Sequence, residues 1–107
     1  MVVVYGRLVD EQGRCLHYRS PLDIVAIKFK CCDRYYACYF CHQDLESHPP
    51  LRWAREEFDR PAILCGACRA ELCIEQYLSC GFVCPSCGAP FNPGCANHYH
   101  LYFDLFS

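Results

Sequence analysis

Two Cys-x-x-Cys pairs, Cys65-Gly-Ala-Cys68 and Cys84-Pro-Ser-Cys87, lie fifteen residues apart, and no other feature of the chain constrains its fold as strongly. Pairs separated by about 15–20 residues form a known zinc spacing. Two thiolates three residues apart on a tight turn point at one centre, and the turn amides can donate to the sulfurs. Two such turns supply the four tetrahedral ligands of a closed structural site. Gly66 and Gly88 are expected to give these turns backbone freedom. Four thiolates suit zinc or iron by donor type alone.

The rest of the composition extends that constraint. Cysteine fills twelve of 107 positions, about 11 % of the chain and above the level that marks a cross-linked scaffold. A chain this short holds one domain with a modest core. A disulfide framework belongs to oxidising compartments. The opening "MVVVYGRLVDEQGR" has only a brief apolar run with no positive charge before it, unlike a secretory signal. The expected compartment is therefore the cytoplasm, where dense cysteines with interspersed histidines read as metal ligands. No segment approaches the ~18–20 apolar residues of a membrane span. The formal charge is −2, and no two basic residues are adjacent. Nucleic-acid binding calls for a basic patch, and zinc on thiolates would deepen the negative charge, so neither nucleic acid nor a membrane is an expected partner.

The N-terminal half carries eight further candidate ligands: Cys15, His17, Cys31, Cys32, Cys38, Cys41, His42 and His48. Eight ligands make two more four-coordinate sites without remainder. Within them "CYFCH", Cys38 to His42, has the form of a c-type haem attachment motif, of a redox dithiol, or of half a metal cage. Haem attachment would leave ten cysteines unexplained, and a thioredoxin-like dithiol needs a βαβ setting that "RYYACYFCH" lacks. The metal reading uses every residue of the motif. Cys41 and His42 are neighbours whose side chains tend to diverge, which suits service to different ions. Spacing alone leaves the partition of the eight ligands open.

"CLHY" at 15–18, "CCD" at 31–33, "CYFCH" at 38–42 and His48, followed by the two Cys-x-x-Cys pairs, resemble a CHY-type zinc finger over roughly residues 15–87. The resemblance implies three zinc ions held by twelve Cys and His side chains, with two of the sites interleaved. Cys15, His17, Cys38 and Cys41 would hold the first zinc and Cys31, Cys32, His42 and His48 the second. Cys65, Cys68, Cys84 and Cys87 would hold the third. Placing Cys31 and Cys32 on one ion requires a turn there, because neighbouring strand residues face opposite ways. In larger members the domain sits beside a RING domain in ubiquitin ligases. After Cys87 this chain has only Cys95 and two histidines, so ligase activity is not carried over.

A single α+β domain over 1–107 is expected, with short strands and short helices organised around three tetrahedral zinc sites. "VVVYGRLV" and "LDIVAIKF" read as strands and "AILC" as a brief one. A short helix is expected near Cys41, ended before Pro49-Pro50, and another over "ELCIEQYLS", with Leu72, Ile74 and Leu78 partly buried. The tail "ANHYHLYFDLF" is helix or strand, packed on the domain. Cys73 and Cys80 are expected to be core thiols. A sharper reading lets Cys80, Cys95, His98 and His100 form a further metal site or a reactive thiol.

No enzyme is expected. The zincin motif H-E-x-x-H is absent, and the zinc deaminase signature fails because proline follows the cysteine in "CPSC". Glu56, Glu57 and Asp59 read as a solvated face. What remains is a zinc-binding protein whose sites build an interaction module for a protein partner, with Trp53, Phe58 and the aromatic tail as candidate contacts. The alternative is a zinc or thiol handling factor, since a mitochondrial intermembrane-space relative assists the biogenesis of small zinc-binding chaperones. An exposed, reactive spare thiol or an easily exchanged zinc would favour handling.

Overall fold

A computed structural model of the chain describes residues 3–10, 12, 14–48, 51–92 and 102–103. A five-stranded sheet and two short helices form the frame. In chain order the elements are β1 (Val4–Tyr5), β2 (Val25–Phe29), β3 (Arg34–Tyr36), α1 (Tyr39–Leu45), a 3-10 turn (Arg55–Glu57), β4 (Pro61–Cys65), β5 (Glu71–Cys73) and α2 (Ile74–Ser79). The sheet order is β1-β3-β2-β4-β5. Only β1 and β3 run parallel; β2 pairs antiparallel with both β3 and β4, and β4 with β5.

The pleat of β2 explains why these residues sit in the middle. Ile27 and Phe29 are buried in the main core, whereas Ala26 packs with Tyr35 and Leu64 in a small cluster of its own. Alternate residues thus serve opposite faces. The main core closes on Tyr36, Ile63, Leu72, Ile74, Tyr77 and Phe91. Phe29 meets Tyr36 edge to face, with ring centroids 5.5 Å apart.

Several expectations shift. Within the first apolar run the sheet strand is only Val4–Tyr5, with Gly6 at a φ of 140° directly after it and Leu8 bridging antiparallel to Cys15. Segment 71–79 divides: Glu71–Cys73 is strand β5, and the helix starts at Ile74. Leu72 is buried because it faces Ile63 across the β4–β5 ladder, not because it lies on a helix face. Cys73 caps α2, its sulfur accepting from Gln76 N and its own amide donating to the Gln76 side chain. Tertiary pairing here overrides the helical preference of the segment.

Trp53 is buried in the core and donates from Nε1 to Lys28 O at 2.7 Å, and Phe58 packs against that core. Trp53 is therefore part of the framework and not a contact residue. In the tail, Tyr102 O accepts from Trp53 N at 2.8 Å, and Phe103 is fully buried. Cys95, His98 and His100 lie outside the described residues.

Candidate metal centres

The β2–β3 hairpin delivers the first unusual ligand pair. Its turn is closed by Asp33 N donating to Phe29 O at 2.8 Å, with Asp33 at a φ of 56°. On a turn, adjacent side chains are free of the strand's strict alternation, and the sulfurs of Cys31 and Cys32 lie 3.7 Å apart. The condition for sharing one ion is met.

Helix α1 then feeds two centres at once. Cys38 is its N-cap and accepts from Cys41 N at 3.3 Å. Residues three apart share a helix face, whereas successive residues are turned by about 100°. Cys41 therefore joins Cys38, and His42 points elsewhere. The described residues gather into three quartets whose ligand atoms all lie within 4.8 Å of one another: Cys15, His17, Cys38, Cys41; Cys31, Cys32, His42, His48; and Cys65, Cys68, Cys84, Cys87.

The distances inside the quartets test the fit to zinc. Zn–S bonds of about 2.3 Å and Zn–N bonds of about 2.0–2.1 Å give tetrahedral edges of about 3.8 Å between sulfurs and about 3.6 Å between sulfur and nitrogen. In the first quartet Cys15 Sγ and Cys38 Sγ are 3.7 Å apart. His17 Nδ1 lies 3.8, 3.4 and 3.5 Å from the sulfurs of Cys15, Cys38 and Cys41. In the third, Cys65–Cys87 and Cys68–Cys84 are both 3.8 Å apart. In the second, Cys31 Sγ is 3.2 Å from His42 Nε2.

The second quartet carries a further sign of a missing partner. Among the described residues, the buried side-chain N or O atoms with no hydrogen bond are His42 Nδ1 and His48 Nε2, and both histidines belong here. An unsatisfied buried polar atom costs about 1–3 kcal/mol, so such atoms normally have a partner; for His48 Nε2 a metal supplies it. His42 is otherwise held by stacking, its ring 4.3 Å from that of Phe29.

The electrostatics point the same way. Cys38 beside Cys15 is pushed up, first by the thiol it shares a hydrogen bond with and then by burial. Burial raises Cys41 and Cys32 and lifts Cys65 to about 12. Thiols packed this closely resist ionising together, and a dication removes that resistance. Cys68 differs. A little burial raises it, but the Ala70 amide and the neighbouring sulfurs outweigh that and bring it to about 7.

The third quartet sits on two short turns. Arg69 N donates to Cys65 O at 2.7 Å in one, and Gly88 N to Cys84 O at 2.9 Å in the other. Ser86 N donates to Cys84 Sγ at 3.4 Å, the amide–sulfur contact such turns provide. Gly88 has a φ of 80°, so its freedom is used. Gly66 is needed for a different reason: a Cβ there would lie 1.7 Å from Gln12 O, so what it provides is room for a neighbouring loop. Cys65 and Cys84 are buried, whereas Cys68 and Cys87 are exposed. Cys73 and Cys80 are half-buried. The Cys80 thiol donates to Tyr77 O at 3.1 Å, so among the described residues the two thiols outside the quartets have local structural uses and neither is a buried core thiol.

Two acidic residues that ligand spacing does not single out stand behind the histidines. Asp44 Oδ2 lies 3.3 Å from His17 Nε2, and Glu46 lies 3.8 Å from His48 Nδ1 while accepting from the Tyr36 hydroxyl. The signal was present in "HQDLESH", where acids fall within a helical turn of ligating residues. No described helix is long and apolar enough to cross a membrane.

Comparison with known proteins agrees with this geometry. The CHY zinc finger family matches residues 15–99. The chain is similar to the Helper of Tim protein 13 of Saccharomyces cerevisiae, 48% identical over 103 residues, covering 94% of this chain and 89% of that protein. It is 46% identical to the Helper of Tim protein 13 of Kluyveromyces lactis, covering 94% of this chain and 87% of that protein. An uncharacterized protein of Schizosaccharomyces pombe is also 46% identical, over 94% of this chain and 88% of its own length. Three four-ligand clusters fit three zinc ions, and the chain is a zinc-binding protein. Bound there, the ions supply cross-links between loops that a core of this size cannot fix. The family match contains all twelve clustered ligands and spans most of the sequence, and the protein belongs to the CHY zinc finger family.

Proposed function

We propose that this chain is a zinc-bearing helper of a small, cysteine-containing partner of the Tim type, and that its four-cysteine centre is the working end. The observation that carries the reading is the division of that centre. Cys65 and Cys84 anchor it from inside, while Cys68 and Cys87 face solvent, where a partner's thiol can reach them. At this centre zinc is cargo, whereas the other two ions keep the fold. The half-buried Cys73 and Cys80 are less suited to the role because each is engaged locally. The name that two relatives share, Helper of Tim protein 13, supports a Tim-type partner, and with it a mitochondrial location in place of the general cytoplasm. No substrate turnover is part of the proposal: the centres have full sets of four protein ligands, without the open position that catalytic zinc keeps.

The interaction-module reading shares the partner but not the exchange. It is favoured by the number of loops the three quartets fix. Native mass spectrometry of the zinc-loaded protein mixed with a reduced Tim-type protein separates the two. Zinc handling predicts a complex and the loss of one zinc from the helper. A pure docking surface predicts a complex with three zincs retained. Absence of any complex would overturn the partner itself.

A further inference from the structure

We propose that Asp44 is the positioning residue of the first zinc centre: its carboxylate faces Nε2 of His17 at 3.3 Å and thereby holds Nδ1 toward the sulfurs of Cys15, Cys38 and Cys41. A neutral imidazole has one donor nitrogen and one acceptor. If Nδ1 is the ligand, as its distances of 3.4–3.8 Å to the three sulfurs indicate, the proton resides on Nε2. Asp44 Oδ2 stands 3.3 Å from that nitrogen. A carboxylate in this place fixes both the tautomer and the ring angle of a metal-bound histidine.

The carboxylate is itself fixed from two directions. Asp44 lies on α1 three residues after Cys41, so the helix ties it to two of the sulfurs it serves. Arg7 Nε lies 2.9 Å from the same Oδ2, and Leu16 N donates to Arg7 O at 3.0 Å. The chain around Arg7 thus runs beside the residue that precedes His17. Arg7, Asp44 and His17 come from three separate segments and converge on one oxygen. Phe40, one turn earlier on α1, sets its ring 5.7 Å from that of His17, limiting the swing of the imidazole. Glu46 does not play the same part for His48. At 3.8 Å it stands farther from the ring, and it accepts instead from Tyr36. The second centre therefore lacks such a partner, and the four-cysteine centre, which takes no ligand from α1, serves as the internal control.

The test uses the full chain carrying Asp44→Ala, Asp44→Glu or Arg7→Ala, loaded with zinc for chelator competition and with cadmium for cadmium NMR. Removing such an outer partner typically costs about 10–100-fold in metal affinity. Asp44→Ala should weaken one ion by that factor and shift only the cadmium resonance of the three-thiolate, one-imidazole centre. Cys38 and Cys41 keep α1 anchored, so the other two ions should hold as before. Asp44→Glu should recover part of the loss, and Arg7→Ala should weaken the same ion by less. The proposal is overturned if Asp44→Ala leaves all three ions equally resistant, or if all three weaken together. Should Asp44→Ala fail to fold, Arg7→Ala decides alone: a shift confined to the first centre supports the assignment, and none rejects it. The partner proposed above does not enter this test.

Discussion

The two mixed Cys/His centres and the four-cysteine centre solve the same coordination problem in opposite ways. The mixed pair interleaves four separate stretches of chain, and the seven-residue helix α1 contributes Cys41 to one centre and His42 to the other. Its sulfurs are largely buried, and a carboxylate stands behind at least one imidazole. The four-cysteine centre needs only two turns, one leaving β4 and one after α2, with half its thiols in solvent. The lesson is that interleaving couples ions to one another, while two local turns leave an ion answerable to its own four ligands.

Complete metal removal tests the most. Structural zinc contributes on the order of 10 kcal/mol per site or more, against a typical domain stability of about 5–15 kcal/mol. A strong chelator should abolish the cooperative thermal transition and the near-UV dichroism of the buried tyrosines. Retention of either after all metal is gone would remove zinc from the account of folding.

Single ligands sharpen the contrast. Cys41→Ser and His42→Ala each loosen α1, so each should cost two zincs by native mass spectrometry. Cys84→Ser should cost one. Equal losses from all three variants would mean that α1 does not couple the mixed centres.

Gly66→Ala probes the contact between the two regions. Its Cβ would strike Gln12 O at 1.7 Å, and backbone must move to relieve that, with an expected cost of about 1–3 kcal/mol in thermal unfolding. All three zincs should remain bound at moderate temperature. The smallest effect belongs to Cys73→Ser. Serine is a good N-cap, so α2 should keep its start, with stability changed by about 0.5 kcal/mol or less and the metal count unchanged.

The metal-binding residues were legible because coordination chemistry is local in its demands: spacing such as Cys65-x-x-Cys68 dictates a turn whatever surrounds it. The grouping of Cys31 and Cys32 was open to spacing alone, since the answer depends on a hairpin turn fixed by β3, three residues that carry little signal of their own. β5 was hidden for a related reason. Glu71–Cys73 becomes strand only because β4 offers an edge, which no local propensity encodes. Trp53 was a contact candidate even though aromatics are more often core; its burial is decided by β2 and by Phe103, both distant in sequence. Asp44 was missed because a search for ligands passes over the groups that orient them.

The order of the ligands along the chain gives folding a direction in time. Every residue of the two mixed centres has appeared by His48, whereas β4, the strand on the other side of β2, begins only at Pro61. A chain emerging from its N-terminus can therefore close two metal centres while two of the five strands are still missing. The hairpin locked by those ions then presents β2 as an open edge, on which β4 and the last centre assemble.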